Sequence, residues 1–283
     1  MKYSKFFLLA SLVFSRNSNA ELDHLPYSAG PGPLFSFGQN VQKKNGFVYR
    51  QIYFVSEADL HTTFLLHNHI YYGITDTLTF VVKQPILAKN FRLGINGRGI
   101  CNTRLELEFI TYEYKIPDEC RLRTTILGAM IFPTNTSKII TLQTTKSMNY
   151  FAGITESFAT PKIFQYMFFG IFVPTSKDYG FLFYCQTGFA HTIMRHDDFY
   201  LGVDIEVNVE YQKTHKFTNK PVLALGGTAI YIGPTLRASR DHFIFQIGIQ
   251  YPCVRHSRPS DVSSRTDIDP TNYRMAFAAA MRF

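Results

Sequence analysis

The chain has 283 residues, 29 Lys and Arg against 21 Asp and Glu, and a formal net charge of +8. Mean hydropathy is −0.06, and no run of 18 apolar residues follows the first 20 positions, which excludes membrane-spanning helices. The positive charge is spread along the chain, without the Lys/Arg cluster of a nucleic-acid binder.

The first residues read as a secretory signal peptide. Lys2 and Lys5 precede an apolar run from Phe6 to Phe14, and Ser18-Asn19-Ala20 offers small residues for cleavage. Cleavage after Ala20 removes Lys2, Lys5 and Arg16 and no acid, so the charge falls from +8 to +5. Residues 21–45 carry Pro26, Pro31 and Pro33 among Gly30, Gly32 and Gly38, and so lack a regular period. They form an irregular leader, either solvated on the periplasmic side or folded inward as a plug.

From residue 46 onward the pattern is β. The chain carries 27 Phe and 17 Tyr but no Trp, an aromatic weight that suits strands and interfacial girdles. Twelve strands are expected, over 46–55, 61–72, 76–86, 102–114, 120–132, 149–158, 162–173, 180–191, 199–212, 222–236, 242–253 and 272–283. The fourth sets Arg104, Glu106 and Glu108 against Leu105, Leu107 and Phe109. The ninth sets Asp204, Glu206, Asn208 and Glu210 against Val203, Ile205, Val207 and Val209. In the last, Tyr273, Met275, Phe277, Met281 and Phe283 alternate with Arg274, Ala276, Ala278, Ala280 and Arg282. Period two with one apolar and one polar face is the mark of a strand lying between two environments.

The connections alternate in length. Short ones fall at 73–75, 115–119, 159–161, 191–198 and 236–241, and longer ones at 87–101, 133–148, 213–221 and 254–271. An even strand number with this rhythm predicts an all-β fold: a transmembrane antiparallel up-and-down barrel of residues 46–283, with both termini on the periplasmic side. The C-terminal strand, closing on Phe283, is similar to the signal that outer-membrane barrels present to the barrel-assembly machinery. The expected location is the bacterial cell outer membrane, with outer-membrane lipid as the barrel's surroundings.

A charge on the lipid face is costly, so the charged faces should point inward. The predicted lumen therefore holds Lys83, Arg104, Glu106, Glu108, Arg121, Arg123, Asp204, Glu206, Glu210, Arg274 and Arg282, joined by His67 and His69. These groups serve either a structural ion-pair network or a polar path for a small-molecule solute. His67 and His69 share a face, but two His without a third ligand make a weak metal site, and neither metal nor cofactor is implied. Cys101 and Cys253 fall near one rim and can pair; otherwise all four cysteines, with Cys120 and Cys185, stay unpaired. An outer-membrane lipid hydrolase would need a His paired with a Ser. His256 and Ser257 are adjacent and diverge in an extended chain, so no enzyme is expected.

Several phrases resemble the meta-pathway phenol-degradation family of outer-membrane transporters. Tyr72-Gly73-Ile74-Thr75-Asp76, leading to Gln84-Pro85-Ile86, is similar to its Y-G-[IL]-T-D turn and following strand. Ile131-Phe132-Pro133-Thr134, Ile205-Glu206-Val207-Asn208, Tyr231-Ile232-Gly233-Pro234-Thr235-Leu236, Ile249-Gln250-Tyr251-Pro252 and Phe283 resemble later phrases in the same order. Gly97-Arg98-Gly99-Ile100-Cys101-Asn102 departs from the family's G-x-G-D by lacking the acid. The resemblance spans residues 46–283. It implies a twelve-stranded barrel that takes up aromatic or other hydrophobic compounds, and the residues themselves give that barrel a charged lumen. The alternative from the residues alone is a sealed structural or surface-interaction barrel.

Overall fold

The computed structural model describes residues 33–36, 40–58, 61–92, 95–116, 120–136, 146–176, 180–196, 199–213, 227–257 and 271–283. Residues 1–20, expected to be a signal peptide, lie outside them. Thirteen strands are present: β1 (Phe47–Ala58), β2 (His61–Gly73), β3 (Leu78–Arg92), β4 (Ile95–Ile100), β5 (Thr103–Ile116), β6 (Cys120–Phe132), β7 (Asn149–Ala159), β8 (Ile163–Pro174), β9 (Leu182–His196), β10 (Phe199–Gln212), β11 (Gly227–Arg240), β12 (Phe243–Ser257) and β13 (Thr271–Arg282).

Twelve of them form a closed antiparallel barrel. Each pairs with its sequence neighbour, β3 pairs with β5, and β1 pairs with β13 to close the ring. Closure is forced by the solvent: in hydrocarbon an open sheet edge would leave a row of unpaired N–H and C=O groups, each costing several kcal/mol. The closing seam runs from Val48 opposite Arg282 to Ala58 opposite Thr271. Below it, Phe47 and Phe283 exchange backbone hydrogen bonds, and their rings meet edge-on at 5.5 Å.

The thirteenth strand is a correction. The sequence pattern predicts a loop over 87–101, but β3 continues to Arg92 and β4 folds back along it at the rim. The turns after β9 and β11 are also tighter than expected, because those strands run on to His196 and Arg240. A two-residue turn at Asp241-His242 joins β11 to β12, with Asp241 at φ 51, a left-handed conformation that Asp tolerates. The expected start of β11 at 222 falls partly outside the described residues.

The period-two pattern sorts the faces. On β13, Ala276, Ala278 and Ala280 are buried inside, while Met275 and Phe277 are exposed outside. On β5, Leu107 and Phe109 face out, and Glu106 and Glu108 are sealed within. Outward aromatics gather at both rims, with Tyr112, Tyr114 and Phe243 toward the short turns and Tyr150, Tyr211 and Tyr251 toward the long connections. Inside, glycines admit aromatic rings. A Cβ on Gly153 would lie 2.4 Å from the Phe168 ring, and one on Gly188 would lie 2.3 Å from Tyr166. All four cysteines are unpaired, so the Cys101–Cys253 pairing is not formed.

Ala278→Pro removes a donor from the closing seam and places a ring on the small inner face of β13, against Leu34. The expected outcome is loss of the compact, heat-modifiable band that a folded barrel gives on a gel.

Candidate functional site

The site is the lumen, together with the segment that enters it before β1. The chain turns beneath the β2–β3 hairpin, where Asn45 adopts φ 63 and Gly46 N–H donates to Lys43 C=O at 2.8 Å. Asn45 N–H donates to Gly73 C=O, and Gly73 N–H to Gly46 C=O. A Cβ on Gly73 would stand 1.9 Å from the Lys43 carbonyl oxygen, so only glycine allows this approach. Lys44 N–H donates to Asp76 Oδ1 at 3.0 Å.

From there the segment runs into the barrel. Gln42 N–H donates to Thr79 Oγ1 at 2.7 Å. Asn40 donates its backbone N–H and its side-chain amide to the two oxygens of Glu108, each at 2.8 Å. Past residues 37–39, which lie outside the described residues, the chain reaches the opposite wall. There Leu34 N–H and Phe35 N–H donate to the two oxygens of Glu206, both at 3.1 Å. Ser36 Oγ lies 3.0 Å from the same carboxylate and 2.9 Å from Asn208 Oδ1. Thr235 donates to Glu206 at 3.0 Å, and Tyr166 donates to Ser36 Oγ at 2.9 Å. Leu34 packs on Ile52, Ala276 and Ala278, and Phe35 meets Phe54 edge-on. The small inner face of β13 is the seat for Leu34.

Two acids of the predicted lumen thus have backbone and neutral side chains as partners. A buried carboxylate is tolerated when several donors replace its water, and Glu206 collects them from two strands and the leader. Of the described residues in 21–45, Leu34, Asn40, Val41 and Gln42 are buried, while Lys43, Lys44 and Asn45 are exposed.

The remaining charges form three clusters. Lys83 and Arg104 both hold Glu106, with Lys83 Nζ at 3.0 Å, and the Arg104 guanidinium sits 4.1 Å above the Phe151 ring. Arg274 grips Glu210 through two bonds of 2.6 and 2.9 Å and lies 3.6 Å over Tyr231. Nearer the short turns, Arg123 and Arg121 share Glu113, at 2.6 and 3.7 Å. Asp204 is buried on β10, two residues from Glu206, with Oδ1 unpartnered. Arg282 stands opposite Val48 at the short-turn end of the seam. The His67 and His69 rings lie 5.8 Å apart, and His69 Nδ1 is 3.0 Å from Tyr71 OH. No group of three metal-ligating residues occurs among the described residues.

The sequence reading missed several lumen residues. Arg50, which donates to Gln246 at 2.7 Å, and Arg237 are buried inside on strands whose alternation is poor. Tyr166 and Phe168 alternate with Met167 and Phe169, so both faces of β8 look apolar and period two assigns neither. The leader's partners carried no signal, since backbone N–H groups are common to nearly every residue.

An outer membrane channel from Pseudomonas putida F1 superposes with a TM-score of 0.66 over 90% of this chain and 100% of its own, at 10% identity. The NanC porin matches at 0.47 with 11% identity, over 83% of this chain and 98% of its own. The translocator domain of the autotransporter NalP from Neisseria meningitidis matches at 0.44 with 10% identity, over 88% and 91%. No family model and no curated protein matches the sequence. The likeness to the first of these shows the fold to be that of an outer-membrane barrel. With its closed ring and apolar belt, the chain is a protein of the bacterial cell outer membrane.

Glu206→Ala leaves two buried backbone N–H groups unpaired, at about 1–3 kcal/mol each. In a Ser36→Cys background it should raise the maleimide labelling rate of the folded barrel at least about tenfold. The ratio of labelling rates with and without Glu206 checks this.

Proposed function

We propose that the protein is an outer-membrane channel or transporter for small molecules, and that its N-terminal segment is an occluding plug held on the lumen wall. The observation that carries this reading is that residues 40 and 42 are held by Glu108 and Thr79 on one wall and residues 34–36 by Glu206 on the other. A merely structural interior has no need of a tether joined to the wall by separate polar contacts. Polar contacts of this kind exchange readily for water when the lumen hydrates.

The solute proposed is small and apolar or aromatic. Support comes from the inner wall, where the rings of Phe151, Phe168, Tyr184 and Tyr231 stand beside the Arg104 and Arg274 guanidinium groups. Such a wall offers flat apolar faces with charges set between them. No catalytic step and no cofactor belong to this reading, and the concentration gradient drives movement. The C-terminal strand ending in Phe283 is proposed as the contact for the barrel-assembly machinery.

Membership of the phenol-degradation transporter family is also proposed. Its support is that two phrases behind the resemblance grip the leader. Gly73 and Asp76 of the Tyr72–Asp76 phrase meet Lys43 and Lys44, and Glu206 and Asn208 of the Ile205–Asn208 phrase meet Leu34, Phe35 and Ser36. The competing reading, a sealed barrel, draws on the near-complete burial of Glu106, Glu108 and Glu206.

Single-channel recording in planar bilayers separates the two. The chain lacking residues 1–20 should give small or rare current steps, and removing 21–45 as well should enlarge them several-fold. A folded, heat-modifiable deletion that stays silent would leave only the sealed barrel. In the conducting deletion, Arg104→Glu should shift ion preference toward cations, read from the reversal potential in a salt gradient.

A further inference from the structure

The lipid-facing wall of β6–β10 is interrupted by a groove of about 480 Å³. Leu122, Phe158, Met167, Phe189, Ile205 and Val207 line it, and Gly188 presents no side chain behind it. One group in this apolar setting is charged. Glu156 points outward from β7, opposite Met167 on β8 and Thr124 on β6, and is exposed. Its carboxylate accepts one hydrogen bond, from Thr124 Oγ1 at 2.9 Å. The ion pairs among the described residues go to Glu106, Glu113, Glu210 and Asp241, and none to Glu156. Lys162, in the turn below, is not paired with it either.

The depth of the carboxylate is set by the strand. Glu156 lies three residues from the end of β7 at Ala159, on the short-turn side. With a rise of about 3.3 Å per residue and a tilt of about 40°, that is about 8 Å from the rim. This is the level where head groups of the periplasmic leaflet give way to acyl chains. An acid here, without a counter-charge, calls for a cation that arrives with the lipid. Gln165, exposed in the same groove, adds a free amide beside it.

We propose that this groove binds one aminophospholipid of the periplasmic leaflet, with the lipid's ammonium on Glu156 and an acyl chain along Met167, Ile205 and Val207. A primary ammonium brings three donors and a positive charge, so it can satisfy the carboxylate oxygens that Thr124 leaves open. An anionic head group such as glycerol phosphate brings repulsion instead. The proposal rests on the barrel's place in the membrane and not on transport, so failure of either leaves the other standing.

The test refolds the chain in micelles doped with equal amounts of phosphatidylethanolamine and phosphatidylglycerol bearing the same acyl chains. Native mass spectrometry reads the lipid retained. The wild type should hold one phosphatidylethanolamine with at least about fivefold preference, and Glu156→Gln should bring the ratio near unity. Glu156→Lys should reverse the preference toward phosphatidylglycerol, and heat-modifiable migration verifies that each variant is folded. A wild-type ladder of lipids with no preferred head group would overturn the proposal, as would a preference that survives Glu156→Gln. If Glu156→Gln does not fold, the Glu156→Lys ratio decides: an unreversed preference overturns the site.

Discussion

The pairing of β1 with β13 is the contact on which the rest of the molecule depends. In lipid a sheet must have no edge, and this seam removes the last one. An even number of strands, both chain ends at the same rim and a polar interior all follow from that ring. So does the position of the leader. Because β1 begins at the short-turn rim beside the C-terminal strand, the residues before it emerge at the mouth of the lumen. They need only turn back at Asn45 to be inside.

Inside, the wall handles its acids in two ways. Glu106, Glu113 and Glu210 are met by cations of the barrel strands: Lys83 on adjacent β3 with Arg104 on the same strand, Arg123 on adjacent β6, and Arg274 on β13, across β11 and β12. Glu108 and Glu206 are met chiefly by neutral donors, several of which belong to the leader. The first kind stiffens the ring whatever occupies the lumen. The second kind is complete only while the leader is in place, so the wall and the leader each hold what the other lacks. Asp204, close by with an unpartnered oxygen, belongs to this less settled part of the interior.

Most of the ring was legible in the sequence because lipid and lumen impose opposite demands on alternate residues. β5, β10 and β13 announce their faces through runs such as Arg104-Leu105-Glu106-Leu107-Glu108, where the alternation admits one reading. β8 hides its inner face because aromatics stand on both sides. β4 carries no such signal: it falls in a connection expected to be long, and the strand is held by its partner β3. The charged residues were placed by their strands, but their partners were not. Period two says which way Glu206 points and nothing about what comes to meet it. The leader was the least legible part: its Pro and Gly residues carry no period, and its grip is made through the main chain.

Leu34 and Glu206 are separated by 172 positions in the chain. During biogenesis the leader is therefore the first part made and the last to find its place. Its second anchor does not exist until β10 has joined the sheet, and the wall that seats Leu34 is complete only when β13 closes it. Until then the leader is held only at its first anchor, by Thr79 and Glu108. The packing of Leu34 on Ala276 and Ala278 is therefore a contact that only a shut ring can offer.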